Sequence, residues 1–226
     1  MSEINTASML QMTSEFQRMV DEFFEVQCRY QAAIRQVQTK LENLDDEYQL
    51  RHRRNPIHSI SSRMKTIQSM MDKLRRRGQP ISIASAVENL YDIAGMRVIC
   101  SYIQDIYTVA DALTAQDDIR VLRVRDYIRN PKPNGYRSLH LVIEVPVFLS
   151  QGRVTVPVEV QIRTIAMDFW ATLEHTLRYK KPGTVPEEIA AALLQTASDI
   201  TMLDERMQRI HDKVEALNSG EKGTNT

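Results

Sequence analysis

Two carboxylates, Asp92 and Glu159, are the acidic residues best placed for chemistry. Asp92 comes at the entrance to a segment that reads as a buried strand, and Glu159 lies inside another strand, between Val158 and Val160. Two carboxylates that neighbouring strands bring together can bind Mg²⁺, which keeps several of its waters and bridges substrate phosphates. Neither residue identifies a metal site by itself.

A row of cations with one hydroxyl is the second candidate constellation. Apolar residues at steps of three and four predict an amphipathic helix from about Ser59 to Arg77. Its polar face would carry a single stripe of Lys65, Ser69, Lys73 and Arg76. Along a polyphosphate, each cation of such a stripe could meet a different phosphate while the hydroxyl adds a hydrogen bond. The alternative, which this pattern taken alone favours, is the ordinary solvated face of a surface helix.

The strands of the chain place polar side chains on one face of a predicted sheet. Alternation separates apolar Val156, Val158, Val160 and Ile162 from polar Glu159, Gln161 and Arg163. In the strand before it, Ser138 and His140 oppose Leu139, Leu141 and Ile143, and Arg123, Arg125 and Arg129 share a face of the strand before that. One face is therefore predicted to be apolar and the other to carry a carboxylate, an amide, a histidine and arginines. A sheet with one merely solvated face remains the alternative.

The helices and strands that position these residues are predicted from the spacing of apolar residues, which changes along the chain from helical steps of three and four to strand-like alternation and back. Long apolar stripes predict one helix through about residue 48 and another from about 186 to 217. Between them, strands are predicted at 96–102, 119–129, 138–147 and 153–163, with helices at 104–115 and 164–180 and a rigid loop at 130–135. The fold class is therefore α+β, a mixed sheet flanked by long N- and C-terminal helices. The predicted divisions are an N-terminal helix (1–55), a core domain (56–182), a C-terminal helix (183–218) and a disordered tail (219–226).

The composition argues against several classes of protein. Lys and Arg together number 29, as do Asp and Glu, so the chain lacks the basic excess of a general nucleic-acid-binding protein. The two cysteines, Cys28 and Cys100, are far apart, which predicts reduced thiols and no zinc site. There is no signal peptide and no apolar run of about 18 residues, so we expect a cytoplasmic protein with no membrane association. Neither a P-loop nor a Rossmann glycine pattern is present, so a nucleotide would be bound by cations, a Mg²⁺ and the charged sheet face.

Three motifs in this order and spacing resemble the synthetase domain of RelA/SpoT-type proteins. They are D-I-A-G-M-R at 92–97, N-G-Y-R-S-L-H at 134–140 and E-V-Q-I-R-T at 159–164. The short chain and the run at 166–175 resemble most the small alarmone synthetases of the RelQ type. The resemblance covers roughly 56–180 and implies a mixed-sheet synthetase core similar to nucleotidyltransferases. The activity it implies is transfer of pyrophosphate from ATP to the 3′-hydroxyl of GDP or GTP, with release of AMP, in the stringent response.

The resemblance also implies roles for individual residues. Arginines matching Arg63 and Arg97 sandwich the adenine of ATP, and Lys65, Ser69, Lys73 and Arg76 match the positions that bind its phosphates. Asp92 and Glu159 match the Mg²⁺ carboxylates, and Glu159 is also the candidate base for the acceptor's 3′-hydroxyl. Tyr136 matches the tyrosine that stacks on guanine, with Lys132, His140 and Gln161 around the acceptor and Arg125 at a phosphate.

Assembly and regulation are further expectations. Small synthetases of this type are tetramers joined through their terminal helices, so we expect a homotetramer. Only one long helix precedes the synthetase region, so the hydrolase activity of the long bifunctional relatives is not expected. Some RelQ-type enzymes bind their product in an allosteric cleft that would need an aromatic residue near Ser59 and an asparagine in place of Asp168. Both are missing, which argues against feedback activation.

A binding protein is the competing interpretation. The arginine-rich face and Tyr136 could hold single-stranded RNA by stacking and phosphate contacts, with weak or lost catalysis. The two carboxylates argue against this alternative, because an RNA binder would not need both of them in a cationic pocket. RNA binding could still coexist with catalysis as regulation.

Overall fold

A five-stranded mixed sheet with helices forms the centre of the protein, in a computed structural model that describes residues 2–179 and 186–221. The elements in chain order are α1 (Ser2–His52), β1 (Ile57–Met64), α2 (Ile67–Arg76), α3 (Ile83–Asn89), β2 (Ala94–Cys100), α4 (Ile103–Thr114), β3 (Arg120–Asp126), β4 (Leu139–Leu149), β5 (Gly152–Thr164), α5 (Ile165–Tyr179) and α6 (Glu187–Glu221). The strand order is β1-β2-β5-β4-β3. Strands β2 and β5 run parallel, and every other neighbouring pair is antiparallel. The predicted α+β class is confirmed.

One face of the sheet is the apolar core, and helices α1 and α4 cover it. The predicted inward residues of β5, Val156, Val158, Val160 and Ile162, are all buried. Helix α1 contributes Val26, Tyr30, Ile34, Val37 and Leu41 at helical spacing to the same buried cluster. Truncating a fully buried residue such as Ile34 to alanine would cost about 2–5 kcal/mol, because the cavity adds to the lost burial. Since this face is filled, a ligand site belongs on the other one.

The predicted helix from Ser59 to Arg77 is wrong in its first third. Residues Ile57–Met64 form β1, which pairs antiparallel with β2 at the edge of the sheet. Helix α2 begins only at Ile67, where the side chain of Thr66 accepts a hydrogen bond from Ser69 N as an N-cap. Ile60 and Met64 stand four residues apart, as on a helix, because both face the core from β1 while the exposed Ser62 takes the position between them. Lys65 therefore lies in the link between strand and helix, and not on the helix stripe.

The other differences are one missed helix and the ends of elements. Helix α3 was not predicted, although Ser82 caps it by accepting from Ser85 N. Helix α6 extends to Glu221, past the expected start of a disordered tail at 219, and 222–226 lie outside the described residues. The expected division at 182/183 also lies outside them. None of the helices in the described ranges is long and apolar enough to cross a membrane.

Candidate active site

Two rows of side chains cross the open face of the sheet, because residues paired across neighbouring strands project to the same side. The first row runs Ser61, Arg97, Gln161, His140, Arg125, and the second runs Arg63, Gly95, Glu159, Val142, Arg123. The predicted polar face is confirmed for Glu159, Gln161, His140, Arg123 and Arg125. Arg129 is a correction: it follows the end of β3, and its guanidinium lies 5.1 Å from the ring of Tyr107.

A cleft of about 230 Å³ opens over β1, β2 and β5. Its lining includes Arg63 and Arg97, the acids Asp92 and Glu159, and Gln161. Gly95 lies in the floor, directly between Arg63 and Glu159 in the second row. Because glycine has no side chain, the floor stays open between the two arginines, which leaves room for a flat ring. The structure thus brings both predicted adenine-binding arginines and both predicted metal ligands into one cleft.

Asp92 is held by two lysines. Its Oδ2 accepts from Lys73 Nζ at 2.6 Å and from Lys65 Nζ at 3.0 Å. Burial would raise the pKa of Asp92, but the hydrogen bonds and charges of the two lysines outweigh it and hold the pKa below its usual value. The carboxylate is therefore ionised at neutral pH, and the two ammonium groups are fixed beside it at the edge of the cleft.

Glu159 is also kept ionised. Its Oε2 accepts from Gln161 Nε2 at 2.8 Å, and its Oε1 lies 3.7 Å from His140 Nδ1. Burial raises the pKa of Glu159, and the neighbouring His140 and Gln161 lower it by more, so the net direction is downward. A half-buried, ionised carboxylate that touches few donors is suited both to a cation and to accepting a proton.

The donor set of the cleft fits Mg²⁺. Asp92 Oδ1 is buried and has no hydrogen-bond partner within the described residues. The charge of Asp92 acts on Glu159 in the direction that raises the pKa of Glu159, as expected for two nearby carboxylates. In the described part of the chain, no three His, Cys, Asp or Glu side chains cluster as a metal site. Two carboxylates in one cleft suit Mg²⁺, which takes its other ligands from water and substrate phosphates.

A cluster of aromatic rings adjoins Glu159 on the side of β4. The Oη of Tyr136 lies 2.9 Å from His140 Nε2, and the ring of Tyr127 meets His140 edge-on at 5.1 Å between centroids. Lys132 Nζ lies 4.6 Å from the centroids of both Tyr127 and Tyr136. The predicted residues Lys132, Tyr136 and His140 are thus brought together. Sequence reasoning missed Tyr127, whose only signal was its place immediately after a strand of alternating arginines.

A loop held against α6 presents Tyr136. Gly135 has φ +88°, in the left-handed region, and its N–H donates to Lys132 O at 2.8 Å. A Cβ added to Gly135 would lie 2.5 Å from Ala197 Cβ, so this loop and α6 touch without a gap. Nearby, Trp170 Nε1 donates to Leu193 O at 3.0 Å and ties α5 to α6. The position of the aromatic cluster therefore depends on the last helix.

Two of the predicted phosphate ligands, Ser69 and Arg76, do not line the cleft. Ser69 Oγ accepts from Thr66 Oγ1 at the start of α2, and the Nε of the exposed Arg76 donates to Asp72 O of its own helix. Sequence reasoning placed Arg163 on the polar face without a role and gave Asp168 no role in the site, and the structure places both beside the cleft, between Arg97 and the ring of Tyr136. Arg163 Nη1 is 3.3 Å and Arg97 Nη1 is 3.6 Å from Asp168 Oδ1.

The sequence and the structure of this chain are both similar to those of known proteins. A GTP pyrophosphokinase of Bacillus subtilis, YwaC, is 46% identical over 82% of this chain and 89% of its own length. The crystal structure of small alarmone synthetase 1 from Bacillus subtilis bound to its product pppGpp is similar, with a TM-score of 0.75 and 38% identity over 82% of this chain and 94% of that one. The same enzyme bound to AMPCPP gives a TM-score of 0.70 and 33% identity, over 82% and 93% of the two chains. The family model described as the region found in RelA/SpoT proteins matches residues 62–184, the span that carries the cleft and the aromatic cluster, and this chain belongs to the RelA/SpoT family.

Proposed function

We propose that this chain is a GTP pyrophosphokinase of the small alarmone synthetase type, which moves pyrophosphate from ATP to the 3′-hydroxyl of GDP or GTP and releases AMP. The observation that carries the proposal is the position of Glu159 between a cleft lined by two arginines and a cluster of aromatic rings. A donor nucleotide in the cleft and an acceptor base on the rings would meet at this carboxylate. The relatives support the proposal, since one is named GTP pyrophosphokinase and similar structures hold pppGpp and AMPCPP.

The donor half would be bound by arginines and lysines. Guanidinium planes stack well on aromatic rings, so Arg63 and Arg97 are proposed to enclose adenine above Gly95. Lys65 and Lys73 are fixed by Asp92 at the cleft edge and would neutralise the polyphosphate. Ser69 and Arg76 are proposed as further phosphate ligands on α2. Asp92 and Glu159 would hold a Mg²⁺, which supplies charge neutralisation at the phosphates.

The acceptor half would be bound by the aromatic cluster. Guanine is proposed to stack on Tyr136, with His140 and Gln161 beside it and Arg125, opposite His140 on β3, at a phosphate. Lys132 lies over the ring of Tyr136 and is exposed, so it can yield its place to the base and contact the nucleotide.

The reaction requires positioning and one proton acceptor. The 3′-oxygen attacks the β-phosphorus of ATP, the bond from that phosphorus to the bridging oxygen breaks, and the oxygen leaves with AMP. The proton of the 3′-hydroxyl goes to Glu159, whose pKa is held below its usual value and which is therefore unprotonated at neutral pH. Such transfers depend mainly on in-line alignment and charge neutralisation, which a fixed set of cations provides.

Location, assembly and physiological role belong to the same proposal. An enzyme that consumes ATP and a guanosine nucleotide needs both in its compartment, so we propose the cytoplasm and a role in the stringent response. Both free cysteines fit that reducing environment. A homotetramer is proposed because much of the apolar stripe on α6 is exposed, as discussed below.

The test is a product assay with a matched pair of variants. Purified protein is incubated with ATP, Mg²⁺ and GDP or GTP, and the nucleotides are separated by anion exchange. We expect AMP to appear in step with a guanosine tetra- or pentaphosphate. Glu159→Gln should lower the rate roughly 10²–10⁴-fold, the usual contribution of a general base. Glu144→Gln on the neighbouring strand, where Glu144 pairs with Arg120 at the surface, should keep wild-type activity.

The alternative of an RNA-binding protein without catalysis finds no support in the similar proteins named above. If the wild type forms no guanosine polyphosphate with either acceptor, even at high protein concentration with product added, the enzymatic proposal fails. Tight binding of single-stranded RNA by that inactive protein would then restore the alternative.

A further inference from the structure

Arg163, the penultimate residue of strand β5, is a buried arginine with three partners around the active site. Only 3% of its surface is exposed, and burial lowers the pKa of its guanidinium. Buried arginines are rare unless they are paired, because removal of the charge from water is costly. The cost is offset here by contacts to Asp168, Gln161 and Tyr136. Each of these partners leads to a different part of the proposed reaction centre.

The contact with Gln161 determines how that amide faces Glu159. Arg163 Nη2 donates to Gln161 Oε1 at 2.9 Å, and Gln161 Nε2 donates to Glu159 Oε2 at 2.8 Å. A guanidinium can only donate, so it selects the oxygen end of the amide. The nitrogen end is thereby turned to Glu159. Without this donor, the amide could rotate and present its oxygen to the carboxylate.

The contact with Tyr136 supports the ring on which the acceptor base is proposed to stack. The guanidinium carbon of Arg163 lies 5.5 Å from the ring centroid. The second cation near this ring, Lys132, is exposed and can move, whereas Arg163 is enclosed. Arg163 is therefore the permanent neighbour of the ring. A fixed support limits the orientations available to Tyr136 before the acceptor arrives.

Asp168 supplies the counter-charge and joins the two halves of the site. Its Oδ1 lies 3.3 Å from Arg163 Nη1 and 3.6 Å from Nη1 of Arg97, the arginine proposed to stack on adenine. One carboxylate of α5 thus holds an arginine of the donor half and an arginine of the acceptor half. The orientation of both guanidinium groups depends on it.

We propose that Arg163 is a positioning residue for pyrophosphoryl transfer: held by Asp168, it orients Glu159 through Gln161 and fixes the ring of Tyr136 for the acceptor. The inference rests on the proposed function. It extends that function by assigning a separate effect on turnover and on acceptor binding to a buried residue that the proposed function does not use. For Asp168 we expect a different pattern of kinetic effects, because Asp168 also pairs with Arg97.

The test compares steady-state kinetics of Arg163→Met and Arg163→Lys with ATP and GDP varied separately. Arg163→Met removes the donor to Gln161 and the support of Tyr136. We expect kcat to fall on the order of 10–100-fold, as for a catalytic group displaced by up to about 1 Å. KM for GDP should rise roughly 3- to 30-fold with the loss of a desolvated cation–π contact, and KM for ATP should stay within about twofold. Arg163→Lys keeps one charged donor and should recover part of both losses.

Two further variants separate positioning from plain loss of structure. Asp168→Ala should raise KM for both nucleotides, since Arg97 loses its partner too, and Asp168→Asn, which keeps an acceptor oxygen, should do so less. If Arg163 acts through Gln161, Arg163→Met should reduce kcat much less in a Gln161→Ala background than in the wild type. GDP binding by calorimetry without Mg²⁺ gives a readout of the acceptor site that does not depend on turnover.

Arg153→Met, which removes an exposed arginine from the same strand, is the control and should leave every parameter unchanged. The proposal is overturned if folded Arg163→Met shows wild-type kcat and wild-type KM for GDP. It is equally overturned if Arg163→Met lowers only the thermal midpoint and the active fraction, with both KM values intact. Failure of the proposed function looks different, because the wild type itself would then form no product.

Discussion

Glu159 illustrates how a single side chain is prepared for its role by its neighbours. Its carboxylate is half-buried, which disfavours the charge, and yet His140 and Gln161 hold its pKa below the usual value. Burial likewise disfavours the charge of Asp92, and the hydrogen bonds and charges of Lys65 and Lys73 hold its pKa below the usual value. Both acids therefore remain ionised over the physiological range, and each keeps an oxygen without a short hydrogen bond. At this scale the site is a set of charges kept in place by hydrogen bonds.

Gly95 gives the sharpest residue-scale prediction for the donor cleft. Its backbone is not in the left-handed region, and an added Cβ would lie 3.7 Å from Arg63 Cγ, an ordinary contact. Gly95→Val should therefore fold, but its side chain would project between Arg63 and Arg97. We expect KM for ATP to rise at least about tenfold, a loss near 1.4 kcal/mol of binding, with a smaller change for GDP. An unchanged KM for ATP in a folded variant would show that the base lies elsewhere.

Helix α6 acts on the site as an element, through its contact with the loop before Tyr136. Gly135→Ala would place its Cβ 2.5 Å from Ala197 Cβ and would also strain a residue with φ +88°. The loop must then shift and carry Tyr136 with it, so we expect KM for GDP to rise. Ala197→Gly in the same chain should relieve the shortest contact and recover part of the affinity, while the backbone strain at Gly135, the 3.3 Å approach to Leu194 Cδ1 and the cost of a glycine within α6 remain. If the double variant is no better than Gly135→Ala, the steric contact is not the cause.

A single hydroxyl, that of Thr164, links β5, α5 and α6 where they meet. Thr164 Oγ1 donates to the buried Asp204 Oδ2 at 2.6 Å and accepts from Met167 N at the start of α5. Thr164→Val loses a helix cap, worth about 1 kcal/mol, and leaves a buried carboxylate short of a donor, at about 1–3 kcal/mol. We expect unfolding by urea to require about 2–4 kcal/mol less free energy. Thr176→Val, at an exposed threonine of α5, is the control.

Asp204 also predicts a dependence of stability on pH. Burial is the main influence on the pKa of Asp204 and raises it above 3.8, although Thr164 and Arg137 act in the opposite direction. The folded state therefore binds this proton more tightly than the unfolded state. Its contribution to stability is present below pH 3.8 and is lost as pH rises through the folded pKa. Compared with Asp204→Asn, the wild type should lose unfolding free energy as the pH rises above 3.8. An equal pH dependence of the two proteins would contradict this assignment.

The whole molecule leaves an apolar surface along α6. The first part of its predicted stripe, at Leu193, Ala197 and Ile200, packs against Trp170 and Tyr136. The remainder is exposed, through Leu203, Met207, Ile210, Val214 and Leu217. An apolar row of this length on a solvated helix favours an interface between chains. It does not contribute to the core of its own domain.

The corresponding prediction concerns the size of the particle in solution. Light scattering should give a mass close to four times the 26.1 kDa of one chain. Substituting charged residues in the exposed row, as in Met207→Lys with Val214→Glu, should produce smaller species whose far-ultraviolet circular dichroism is unchanged. The matched control, Arg209→Lys with Asp212→Glu, changes two exposed residues on the other side of the helix without altering their charges and should keep the wild-type mass. A monomeric wild type would remove the tetramer from the proposal.

The sequence by itself determined the strands β2 to β5, their polar and apolar faces, and the three motifs that reveal the family. These follow from local alternation and from short runs of residues, which need no knowledge of distant contacts. Only the tertiary structure decided that Ile57–Met64 is an edge strand, because its pairing with β2 supplies the backbone hydrogen bonds that local spacing cannot show. It also decided which side chains share a row, and so placed Gly95 between Arg63 and Glu159. The contacts of Arg163 with Asp168 and Tyr136 join β5 to α5 and to the loop before β4, and such contacts arise from packing, to which no periodicity in one segment corresponds.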